Sequence, residues 1–284
     1  MSQQFDPELH RQMGVEADVV LRVGMLLMGA GTSGYRVLRG MKRSARALGF
    51  DHLDATVGLT QITCTFHRGE YFRTVIARQH SPAVDASRIE ALEDLTHNRL
   101  YAGITAQELA AMLDVIEFGV KKRWSGLVLS FAAAIACAAF AYLNFFPLEA
   151  VGLVALAAFA GQFVRYTVLH RHVHQIGGVI AGGATASIVF FLLTAFFGAI
   201  GSVDPSELSS GVVAAVLFLI PGFPLFSALI DLARFDLDAG IVRLGYAFTV
   251  IFTATFTVSM VSWLTQLTPC LLYTSPSPRD RQKS

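Results

Sequence analysis

The hydrophobic pattern changes character once along the chain, near Trp124. Before that point apolar residues recur at helical or alternating spacing. After it they run together. Between Asp18 and Met28, Val19, Val20, Val23, Leu26 and Leu27 share one helix face, the spacing that predicts a helix. Tyr35 to Leu48 predicts a second helix, whose Arg36, Arg39, Lys42, Arg43 and Arg46 read as a solvated face. Ala55 to Phe66 and Tyr71 to Ala77 predict two strands, joined by the hairpin-length, glycine-containing connection His67 to Glu70. Asp85 to Leu100 and Ala106 to Trp124 predict two more helices, the second opened by Thr105 and Glu108 at capping-box spacing.

Beyond Trp124 five apolar runs follow, at 125–143, 148–169, 176–198, 211–230 and 241–265. Each suffices to cross a hydrocarbon core of about 30 Å, which takes about 20 helical residues. Ser125 to Leu143 is apolar on every face, unlike a helix with one side in water. The expected fold is therefore an α-helical polytopic membrane protein with about five transmembrane helices, preceded by a small α/β cytoplasmic domain. The expected boundaries are 1–123 for the cytoplasmic domain, 124–268 for the transmembrane domain and 269–284 for a tail. The tail, within the Ser/Pro-rich run from Cys270 to Ser284, is aperiodic and reads as foreign or disordered. A native C-terminus or a second half is expected to be missing after about residue 268.

Composition agrees with a membrane class, at 54% hydrophobic and 15% charged residues. A formal charge of +1 gives no bulk basic field for nucleic acid. Cys64, Cys137 and Cys270 lack the paired spacing of a zinc or thiol-disulfide motif. Met1 to Arg22 holds Asp6, Glu8, Glu16 and Asp18 and lacks a signal peptide's basic end and apolar run. Between Ser125 and Thr268 the basic residues are Arg165, Arg171, Arg234 and Arg243. With Lys121, Lys122 and Arg123 they fall on one side of the predicted spans, whereas Asn144 to Pro147 and Gly201 to Ser210 hold no lysine or arginine, but do hold Asp204 and Glu207. The basic side, with the N-terminal domain, is expected in the cytoplasm.

Pro221-Gly222-Phe223-Pro224 lies within the fourth run. Each proline removes a backbone donor and obstructs the preceding turn, so this span is expected to be broken. Discontinuous helices are how many transporters build midplane sites. Asp231 and Arg243 stand nearest the apolar runs on either side of the following link, and are candidates for substrate handling or gating with Pro221, Gly222 and Pro224. Asp231 has the chemistry to pair with an arginine or carry a proton. His172 and His174 alternate in the second link and are candidates for coupling or an interface, with headgroup contact as the alternative. No carboxylate or cysteine adjoins them, and no metal site is expected. Gly29-Ala-Gly31-Thr-Ser-Gly34 matches a dinucleotide fingerprint literally, but a helix precedes it where that fold needs a strand. It reads as a glycine-rich helix break or close helix contact, with no cofactor expected. No phosphate-binding loop of the GxxxxGK[ST] kind occurs. His52, His67, His80 and His97 are scattered singly, and no nucleophile–base arrangement can be assigned, so an enzyme is not expected.

Taken in order, Gly29-Ala30, Arg171-His172-Val173-His174, and Pro221-Gly222-Phe223-Pro224-Leu225 with Asp231, Gly240 and Arg243 resemble the N-terminal half of the threonine/serine exporter family over roughly residues 15–265. The resemblance implies a cytoplasmic domain, five spans, and a second half either fused or supplied as a separate membrane protein. It implies export of threonine and serine, or of succinate in split two-chain members. The expected function is a secondary transporter subunit of the cell inner (plasma) membrane, N-terminus cytoplasmic, that exports threonine or serine, with a succinate exporter subunit working with a second membrane protein as the alternative. The lipid bilayer, a small amino acid or dicarboxylate, a second membrane subunit and further copies of the chain are its expected partners. The alternative is a membrane-anchored sensor or enzyme working through the soluble domain.

Overall fold

The computed structural model describes residues 7–79, 84–120, 124–171, 173–200 and 211–265. The expectations for Lys121 to Arg123, His80, His172, the 201–210 link and the tail with Cys270 lie outside the described residues. The chain divides into two compact units, one drawing on residues 1–123 and 222–247, the other on 124–221 and 248–284.

In the first unit α1 (Pro7–Gly29) and α2 (Gly34–Ala47) precede an antiparallel meander of β1 (His52–Val57), β2 (Gln61–Arg68) and β3 (Tyr71–Arg78). α3 (Ala86–Asp94) runs into a π-helical turn at Leu95–Arg99, and α4 (Ala106–Gly119) follows. The predicted strand from Ala55 to Phe66 is two strands, because the Gly58 N–H closes onto the Gln61 carbonyl at 2.8 Å and reverses the chain. The sheet is one-sided. Ile62, Cys64 and Phe66 alternate into the core beside Met13, Val20 and Leu27 of α1, whereas Phe72 and Ile76 of β3 remain exposed. The capping box of α4 forms: Thr105 Oγ1 accepts from the Glu108 N–H, and the Glu108 carboxylate accepts from the Thr105 N–H at 2.9 Å.

The second unit is built on α5 (Gly126–Leu143), α6 (Leu148–His170) and α7 (Gln175–Ala199). Small residues let them approach closely. A side chain on Gly161 would come within 2.7 Å of the Ala186 Cβ and the Gly182 carbonyl, and one on Gly182 within 2.9 Å of the Arg165 Cβ. The run predicted as one span at 211–230 is not one helix. It consists of α8 (Gly211–Ala215), a 3-10 turn at Leu217–Leu219 and α9 (Gly222–Ala233), which belongs to the first unit. α10 (Leu237–Thr265) is grouped with the first unit up to Ala247 and with the second from Phe248. Among the described residues α5, α6, α7 and α10 are the helices long and apolar enough to cross a membrane, against the five expected. The fourth expected run, 211–230, is interrupted although it is apolar.

Candidate functional site

The helix interruption is the first element of the site. Regular bonding stops at Val216, whose N–H still reaches the Val212 carbonyl at 3.2 Å, and resumes only as the short turns Leu219 to Val216 and Ile220 to Leu217. That leaves the Leu217 and Phe218 amides without helical partners. Both bond to the Cys137 sulfur, which is 1% exposed, so a buried thiol satisfies donors that could not stay orphaned. The Phe218 carbonyl accepts from Arg165 Nη1 at 3.4 Å. Arg165 was read from sequence as a marker of the basic side; its contact with the turn had no local signal. The turn rests on a glycine floor, with Leu219 Cδ1 within 3.0 Å of where a Gly183 Cβ would stand and the Phe218 ring within 2.9 Å of one on Gly161.

Pro221, Gly222 and Pro224 follow directly. Pro221 precedes α9, and Gly222 and Pro224 lie in its first turn, where backbone donors lack intrahelical partners and a missing N–H costs nothing. The prolines therefore start a helix after the break instead of standing inside it. A side chain at Gly222 would meet nothing within 4 Å.

Asp231 and Arg243 form the second element, wholly inside the first unit. α9 buries Ser227, Ala228 and Asp231 on one face. It ends in a tight reversal, with the Asp236 N–H on the Asp231 carbonyl at 3.0 Å and Phe235 in the left-handed region at φ 61°. α10 then returns Arg243 to face Asp231. The guanidinium Nε lies 3.4 Å from Asp231 Oδ2, with Asp231 0% and Arg243 4% exposed as side chains. The α1–α2 loop completes the cluster. The Gly34 N–H donates to Asp231 Oδ2 at 3.2 Å, and Arg243 Nη1 donates to the Thr32 carbonyl at 2.5 Å. Gly31, at φ 91°, makes the turn that brings this loop round, a conformation glycine adopts without cost. Gly34 sits where a Cβ would be 3.2 Å from the Ala239 Cβ and from Asp236 Oδ2. Arg234 lies over the Tyr35 ring at 3.8 Å.

The glycine run singled out as a close helix contact is thus the strap holding the Asp231–Arg243 pair. The sequence offered the glycines and the charges but no link between them, since they stand about 200 positions apart. His174 caps α7, its Nδ1 accepting from the Ile176 N–H at 3.3 Å, and His170 stacks on Tyr166. His172 lies outside the described residues. Among the described residues no cluster of His, Cys, Asp and Glu has the composition to hold a metal ion.

Comparison with known proteins bears on the whole of this architecture. The chain is 22% identical over 255 residues to the "Probable succinate transporter subunit YjjP" of Escherichia coli (strain K12), covering 86% of this chain and 92% of that protein. The Klebsiella aerogenes protein of the same name is 23% identical over 208 residues, covering 72% of this chain and 76% of that protein. No solved structure matches. The sequence profile of the ThrE threonine/serine exporter family matches residues 18–265, taking in both units and every element of the site, and the chain belongs to that family.

Proposed function

We infer that the chain works as a transporter subunit that crosses the membrane more than once, a reading its family and its spanning helices support. We propose that it exports a small carboxylate-bearing metabolite by a gradient-driven mechanism, with the soluble domain cytoplasmic and the spans in the inner membrane. The domain division at 123/124 is part of this reading. The observation that carries it is the interruption between α8 and α9. Backbone that leaves helical geometry at membrane depth is tolerated where protein or a water-filled cavity satisfies it, and such breaks are recurrent substrate sites. Arg165 brings a guanidinium to that turn, a group whose fork geometry suits a carboxylate.

Asp231 and Arg243 supply the coupling step. A proton taken up by Asp231 would remove the negative partner of Arg243 and weaken the hold on the Gly34 amide, releasing the α1–α2 loop from α9 and α10. The step uses only groups already in contact. It gives a titratable carboxylate a mechanical consequence.

Both curated relatives are named for succinate, which favours a dicarboxylate over threonine or serine as substrate. Their names also call them subunits, which supports a companion membrane protein for this chain, or a second half, alongside self-association. Export of labelled succinate, threonine and serine, measured with the chain alone and with a second-half protein, tests the reading. Substrate-dependent efflux requiring the chain is expected. Equal efflux in cells lacking it would overturn the proposal.

A further inference from the structure

Five basic residues punctuate α2, and a solvated face explains only some of them. Arg39 is engaged, donating to Glu93 at 2.9 Å. Arg43 and Arg46, one and two turns further on, have no ion pair or hydrogen bond among the described residues, and Arg43 Nη1 is buried without a hydrogen-bond partner. Both line an open groove of about 350 Å³, together with Thr96, His97, Leu100 and Tyr101. Its position is fixed by the fold. The Gly103 N–H donates to the Ala47 carbonyl at 3.0 Å, tying the loop after the π-helical turn to the end of α2. Gly103 stands at φ 87°, which this loop requires. The π-helical turn Leu95–Arg99 turns Thr96 and His97 onto the groove, a distortion frequent at functional sites.

The electrostatics point one way. Among the described residues lining the groove there is no carboxylate. Glu93 is occupied by Arg39 and by His97 at 3.1 Å, and Asp94 by Asn98 and Arg99, both at 2.8 Å. A partly buried guanidinium with a free N–H is costly unless something bonds it. Arg43 is such a group, and the exposed Arg46, three residues on along the same helix face, adds a second guanidinium within reach of a dianion held there. Leu100 and the half-exposed ring of Tyr101 add an apolar wall beside them, and the volume exceeds what a bare phosphate fills.

We infer that this groove, built by Arg43, Arg46, His97 and Tyr101, is a binding site for a phosphate monoester. The dianionic head would sit on the two arginines and the organic body on Leu100 and Tyr101. The site is separate from Asp231 and Arg243, so it is suited to report the state of the cell to the transporter, not to pass substrate.

The test uses the purified full chain in detergent, titrated calorimetrically with inorganic phosphate and with adenosine monophosphate. Saturable binding of both is expected, tighter for the nucleotide. R43Q/R46Q should weaken it by at least about tenfold, the loss of one or more charge-assisted hydrogen bonds. R43K/R46K, keeping charge without the fork, should fall between. Vesicles containing phosphatidate, against neutral vesicles, separate a lipid from a soluble source of the same head; binding in either arm that R43Q/R46Q abolishes supports the site. Neither arginine has a structural bond to lose, so the double variant should fold, and circular dichroism checks this. No binding of any probe at millimolar concentration, or equal binding by parent and R43Q/R46Q, would overturn the inference.

Discussion

Asp231 Oδ2 accepts from the Gly34 amide at 3.2 Å, joining the carboxylate near the end of α9 to the first residue of α2. The same oxygen faces Arg243 at 3.4 Å, and both charged side chains are shielded from solvent. A carboxylate shared between a guanidinium and a backbone amide holds three segments with one group. Removing it should be felt in all three.

The stability consequence is specific. Asp231→Ala strands a buried guanidinium and should cost about 3–5 kcal/mol. The double change Asp231→Ala with Arg243→Met removes both charges, and should recover part of that loss. Thermal unfolding of the detergent-solubilised chain reads the difference. Equal Tm for the single and double variants would mean the pair is not coupled.

Gly34→Val should act at the same contact from the other side. Its Cβ would stand 3.2 Å from the Ala239 Cβ and from Asp236 Oδ2, and the branched methyls add to that crowding. Overpacking of this kind costs about 1–3 kcal/mol. Gly222→Val, where a Cβ meets nothing within 4 Å, is the control and should fold as the parent does. Protease resistance of the α1–α2 loop would show the contrast.

Phe235 holds a left-handed conformation at φ 61° with its side chain 87% exposed. Little packing opposes its removal, while the backbone strain is about 1–2 kcal/mol. Phe235→Gly should therefore raise stability, by about 1 kcal/mol after glycine's greater unfolded-state freedom is subtracted. A lowered Tm would show that the aromatic ring itself is needed at the turn.

In α4 the Thr105 N–H, the Thr105 hydroxyl and the Tyr101 hydroxyl, in that order, hold the Glu108 carboxyl below its ordinary range. A group depressed in the folded state stabilises it fully above the unfolded value, and that contribution disappears as pH falls through the folded one. Acidification through and below the ordinary carboxylate range should loosen the start of α4. Glu108→Gln should lose that part of the pH dependence, measured as helix signal against pH.

How much of this was legible in the sequence depended on the range of the interaction. Four long helices were readable because a run such as Gly126–Leu143 is apolar throughout, and the capping box at Thr105 because its two partners are three residues apart. The start of α1 was missed because Pro7 to Ala17 alternates charged and apolar residues without a clear stripe. The strand at Ala55 was drawn too long because Gly58 was not weighed as a turn. At the site, Asp231 and Arg243 stood out as charges beside apolar runs. Their bonds to Gly34 and Thr32, like that of Arg165 to Phe218, join positions 53 or more residues apart and leave no periodic trace.

The most direct measurement of the transport account is efflux of labelled succinate and threonine from vesicles containing the chain with the proposed companion membrane protein, comparing parent, P221A/P224A and D231N. The double proline variant lifts the bar against extending α9 backwards, since each ring would cost ~3 kcal/mol or more inside a continuous helix, so α8 and α9 can join into one helix and efflux should fall at every pH. D231N keeps the shape and hydrogen-bonding capacity but removes the titratable charge, so efflux should fall and lose its dependence on the proton gradient. Both variants inserting normally and exporting at the parent rate would contradict the account, and would make the break between α8 and α9 a packing feature alone.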